Sequence, residues 1–162
     1  MAARIAFFTF GVLKEPVGHA AVQGFIDRIA GVYDHMDGSE GFFARSQRNI
    51  ETWEHSWGPM VIPKCAPEGM GFDRIAMTLS VWRDMKSVAA FAYRGAHGEA
   101  VSKRADWFLP GAWPVYAAWW IDADHTPRWP EAVERFDHLH LHGPSPAAFN
   151  FRQAFDPDGQ PA

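Results

Sequence analysis

Three apolar runs, at residues 4–13, 74–82 and 115–121, constrain this chain most. Each mixes aromatic, β-branched and small residues and reads as a buried strand. In the second run alternation puts Ile75, Met77, Leu79 and Val81 on one face and Ala76, Thr78, Ser80 and Trp82 on the other. Residues 41–46, with Phe42 and Phe43, form a shorter candidate strand. The intervening segments have helical periodicity. Val22, Phe25, Ile26, Ile29, Val32, Tyr33 and Met36 recur at spacings of three and four over residues 19–36. Asp84 is placed to cap a helix carrying Val88, Phe91 and Ala92, which Gly95 ends. A further helix is expected over 96–108, stopped by Pro110 and Gly111. Pro130 and Gly143 bracket a last one with Val133, Phe136 and Leu139 inward.

Four strands without strict βα alternation predict an α+β protein, with helices covering one face of an antiparallel four-stranded sheet. The other face then needs a cover, and a second copy of the chain is the simplest one. Residues 47–71 hold Trp53, His55, Trp57 and three prolines, and resist assignment; they contribute either part of a strand or a lid. The expected organisation is a single domain over residues 1–152 and a loose tail over 153–162.

Composition excludes several classes of function. A net charge of −4 and the lack of a basic stripe argue against nucleic acid. No apolar run approaches the ~18 residues that span a bilayer, and the first residues lack a signal peptide's apolar core. A cytoplasmic protein with no membrane partner is therefore expected. With one cysteine, Cys65, there is no disulfide framework and no zinc-thiolate site. Aromatic residues make up 15% of the chain, including 8 Trp and 13 Phe, enough to wall a cavity or an apolar interface as well as fill a core.

The helical stretch 97–108 carries the clearest candidates. At about 100° per residue Arg104 falls roughly 20° from His97, with Phe108 and Val101 alongside and Trp107 nearby, while Glu99, Lys103 and Asp106 take the opposite side. An imidazole and a guanidinium on an apolar face either line a polar-floored pocket or are held structurally. His97 is then a general acid or base, or the axial ligand of a haem, and Arg104 holds a carboxylate or developing oxyanion. Tyr93 belongs at the pocket mouth, and Trp82, Val101, Trp107, Phe108 and Trp119 are the expected walls. His138 and His142, one helical turn apart, form a weaker metal pair. His55 and Cys65 form a weaker thiol-nucleophile pair that lacks an orienting third group.

Leu79-Ser80-Val81-Trp82, Phe91-Ala92-Tyr93-Arg94-Gly95-Ala96-His97, Arg104-Ala105-Asp106-Trp107-Phe108, Trp119-Trp120-Ile121 and His142-Gly143-Pro144-Ser145-Pro146-Ala147-Ala148-Phe149 occur in this order. Through them the chain resembles domain-of-unknown-function family 3291, which is similar to the dimeric α/β-barrel superfamily. The resemblance implies a ferredoxin-like protomer, a homodimer and a small-molecule ligand held between sheet and helices. It also implies monooxygenase-like oxidoreductase chemistry, with no cofactor or with haem, on a largely apolar or aromatic substrate. Lyase, dehydratase or isomerase chemistry through His97, or non-catalytic binding of a small ligand or haem, are the alternatives. The segment 82–97 resembles the haem-degrading branch, in which His97 matches the iron ligand; His97 is a metal ligand only in that case.

Overall fold

A computed structural model of the protein describes residues 2–49, 51–52 and 54–162; Trp53 lies outside the described residues. The strands are β1 (Ala3–Val12), β2 (Phe42–Arg45), β3 (Ile75–Trp82) and β4 (Tyr116–Asp122). The helices are α1 (Gln23–Asp37), α2 (Met85–Ala92), α3 (Gly95–Ser102), α4 (Arg104–Trp107) and α5 (Trp129–His142). The sheet order is β2-β3-β1-β4 and every pairing is antiparallel, with Phe8 facing Leu79 on one side and Ala117 on the other. A β-α-β-β-α-β core in this order is the ferredoxin-like arrangement.

Local chemistry sets the element ends. Asp84 caps α2, its Oδ1 accepting from the Ser87 N–H at 2.8 Å, and α5 ends at Gly143 with φ 75°. The helix expected over 96–108 is two pieces. Lys103, with φ −105° and ψ 2°, leaves helical geometry between α3 and α4. Rotation counted from His97 therefore does not carry through to Arg104, Trp107 and Phe108.

Alternation along the strands fills two layers. Phe8, Phe10, Met77, Leu79, Ala117 and Trp119 meet Trp129, Val133 and Phe136 of α5 on one side of the sheet. Ile5, Phe7, Trp82 and Ala118 meet Met36, Val88, Phe91 and Phe149 on the other. Each large side chain so buried contributes ~1.5–3 kcal/mol. The expectation that one face waits for a second copy is thus corrected. The chain covers that face itself, with α5 and with Trp57, Met60, Ile62, Cys65 and Met70 of the 47–71 segment. Among its described residues that segment makes an isolated bridge, Arg48 with His55, and it serves as a packed flap over the core.

The tail expected to be loose is fastened down. Phe155 is buried against Phe149, and its carbonyl accepts from Trp120 Nε1 at 2.7 Å. Backbone bonds from Asp156 N to Gln160 O and from Ala162 N to Ala154 O close the turn. Buried aromatic area, which the prolines and glycine of this stretch do not reveal, holds it. Among the described residues no helix is long and apolar enough to cross a membrane.

Candidate functional site

The residues expected to form a pocket are dispersed. His97 is half-buried, stacks on Phe91 at 4.6 Å, and its Nδ1 lies 2.7 Å from the Ala92 carbonyl. Burial depresses its pKa, offset in part by that carbonyl. Arg104 is exposed, on α4, and no bond joins it to His97. Trp82 and Trp119 are both fully buried but on opposite sides of the sheet; their indole N–H groups donate to Ser80 Oγ and Glu131 Oε1. Trp107 and Phe108 pack with Leu13, Val22 and Phe25 at the end of the sheet, apart from both layers. Val101 is half-buried on α3. Tyr93 is 62% exposed, against Phe151. The helical-face pocket is corrected accordingly: its walls are three separate packing clusters.

A haem at His97 does not fit. The carbonyl on Nδ1 would suit an axial imidazole. Phe91 occupies the ring's flank, however, with the two ring centres 4.6 Å apart. His138 and His142 do stack, at 4.7 Å, but no group of three or more metal-binding side chains occurs among the described residues. Cys65 sits in apolar packing. Burial first, and the nearby Asp137 second, push its thiol up to about 11, which makes it a poor nucleophile near neutral pH.

A concavity lined by Tyr33, Arg45, His55 and Trp129 has no room for a water molecule. Another is an open cleft of about 160 Å³ at the edge of the α5-covered face, lined by Arg4, Phe43, Trp57, Val81, His125 and Pro127 among others. Three features distinguish this cleft. First, the β2–β3 register slips between Phe42 and Ala44, and the bulged Phe43 places its ring 3.9 Å from the Arg4 guanidinium carbon. Among the described residues Arg4 has no carboxylate partner. Second, Trp57 has φ 71° and is the one non-glycine residue with positive φ among the described residues, an arrangement that strains a bulky side chain. Third, His125 Nε2 lies 2.8 Å from Glu131 Oε2. Glu131 is itself held by the Trp119 indole N–H at 3.1 Å and the Arg128 backbone N–H at 3.4 Å.

The Glu131 carboxylate accepts only, so it fixes neutral His125 with its proton on Nε2 and its lone pair on Nδ1. A fixed tautomer, a guanidinium with no ion pair and two aromatic rings can bind, orient and exchange a proton with a small guest.

Residues 4–162 match the model of the family described as Domain of unknown function (DUF3291). The chain belongs to this family. No curated protein matches it. Among solved structures, a conserved protein from Methanosarcina mazei Go1 is similar at 12% identity and TM-score 0.47, over 74% of this chain and 92% of that one. A protein of unknown function from Nitrosomonas europaea is similar at 10% identity and TM-score 0.46, over 77% and 93%. SnoaB, a cofactor-independent oxygenase from Streptomyces nogalater, is similar at 12% identity and TM-score 0.43, over 77% and 97%. The strand order and pairing of this family member carry its fold assignment by themselves.

Proposed function

We propose that the protein binds a small molecule in the cleft between Arg4, Phe43, Trp57 and His125, and moves a proton to or from it through His125. The carrying observation is the Trp119–Glu131–His125 chain of hydrogen bonds, which leaves one ring nitrogen as a lone-pair donor beside a cleft. When His125 Nδ1 takes a proton, the Glu131 carboxylate stabilises the imidazolium; when Nδ1 returns it, the ring acts as the acid. Proton transfer of this kind suits lyase, dehydratase or isomerase chemistry, through His125 in place of His97. Monooxygenase-like oxidation in a chamber between sheet and helices has less support, because Phe7, Trp82, Phe91 and Phe149 fill that layer.

Solvent exchange tests the reading. A panel of small aryl ketones, aldehydes and acids is incubated with the protein in D2O and analysed by mass spectrometry. Deuterium uptake at the carbon next to the carbonyl is expected for a bound compound that carries a hydrogen there, such as an arylacetic acid or an aryl alkyl ketone. It should fall at least tenfold in His125→Gln, with binding retained. Uptake unchanged in that variant, or no uptake from any bound compound that has a hydrogen at that carbon, contradicts the proposal.

A further inference from the structure

We infer that the guest of this cleft is a small planar monoanion, a carboxylate attached to about one aromatic ring. The inference rests on the cleft being the binding site, as proposed above, and adds the chemistry that the cleft selects.

The charge argument begins with Arg4. Its guanidinium carbon lies 3.9 Å from the centre of the Phe43 ring, a cation–π contact that takes up none of its N–H donors as hydrogen bonds. Among the described residues no ion pair or side-chain hydrogen bond engages those donors, although Arg4 is only half-exposed. The other arginines that contact aromatic rings differ. Arg28 over Trp107 is bonded to Glu99 at 2.9 Å, and Arg45 over Tyr33 is bonded to Asp37 at 2.8 Å. A planar guanidinium with free N–H donors matches a carboxylate through two parallel N–H···O bonds.

Shape and the remaining charges narrow the guest. A cleft of about 160 Å³ is close to the roughly 150 Å³ cavity that accommodates a benzene ring. Phe43, Trp57, Val81 and Pro127 offer apolar surface to that ring. The carboxylates near the cleft limit how much negative charge it accepts. Glu131 is already bonded to His125, Trp119 and Arg128, but Asp124, exposed in the wall, carries a free negative charge. One incoming carboxylate can pair with Arg4, whereas a second would meet Asp124.

Calorimetry with benzoate, the neutral benzamide and the dianion phthalate tests this on the full chain. Benzoate is expected to bind at least tenfold more tightly than either of the others. Arg4→Gln should reduce the benzoate-to-benzamide ratio to near one while leaving benzamide affinity within twofold. Arg4→Lys should restore only part of the ratio, because an ammonium lacks the planar fork; unchanged melting temperatures would confirm that both variants fold. If benzamide matches benzoate in the natural protein, and Trp57→Ala weakens both, the charge inference is overturned and the cleft reading survives. Binding that persists unchanged in Trp57→Ala, or no binding of any of the three, overturns both.

Discussion

Replacing Trp129 with alanine is expected to destabilise the protein by about 3–5 kcal/mol, a large share of the ~5–15 kcal/mol typical of a folded domain. Its indole is 1% exposed and stands edge-on to Phe8 at 6.3 Å and to His55 at 5.5 Å. Its Nε1–H also reaches Ser46 Oγ and the Ser56 carbonyl, each at 3.1 Å. One side chain thus joins the start of α5, the centre of β1 and the segment leaving β2. Alanine removes the ring's packing and that anchor together. Trp129→Phe keeps most of the apolar volume and loses the N–H, so a smaller cost of ~1–2 kcal/mol is expected. Equilibrium urea unfolding distinguishes the cases. A loss below ~1 kcal/mol for alanine would mean that α5 and the 47–71 segment do not form the cover described above.

Gly41→Ala is the second large effect, at ~2–5 kcal/mol. Gly41 has φ +81°, where an L side chain costs roughly 1–2 kcal/mol, and overpacking adds ~1–3 kcal/mol. A Cβ there would overlap Ser87 Oγ and come within 2.6 Å of Ser87 Cβ. Ser87 cannot easily withdraw, since its Oγ and its backbone N–H both bond Asp84 Oδ1 at 2.8 Å. The clash therefore reaches the cap of α2. Gly31→Ala is the matched control. Gly31 lies within α1 and a Cβ there meets nothing within 4 Å, so stabilisation by ~0.5–1 kcal/mol is expected. Thermal unfolding of the two variants should move in opposite directions. Equal and small shifts would remove the contact between Gly41 and Ser87 from the account.

The strands were legible because burial on two faces leaves long aromatic and β-branched runs, and the alternation at Ile75, Met77, Leu79 and Val81 gave the face facing α5 directly. The Asp84 cap and the Gly143 stop were legible for the same reason: each is a local rule satisfied by one residue. The site was not legible. An extended helix assumed through Lys103 brought His97 and Arg104 together on paper, but the backbone breaks there, and nothing in helical periodicity announces the break. The cleft depends on contacts distant in sequence. Arg4 meets Phe43 through a bulge, and Trp57 arrives from an irregular segment. His125 and Glu131 were the nearest to a readable signal. They lie six positions apart across the start of a helix that Pro130 already marked, with Glu131 in its first turn. The covering of the second sheet face is not legible because the apolar stripe of α5 marks it as amphipathic without saying which face of the sheet it meets.

The central claim is that small molecules enter at the Arg4–His125 cleft and not at the His97 helix. Proton–nitrogen correlation NMR during titration with benzoate tests it most directly. The account predicts that the largest shifts fall on the backbone amides of Arg4, Phe43 and His125 and on the Trp57 indole N–H, with Tyr93, His97, Val101 and Arg104 unmoved. Shifts centred on His97 and Arg104, with the cleft silent, would contradict it.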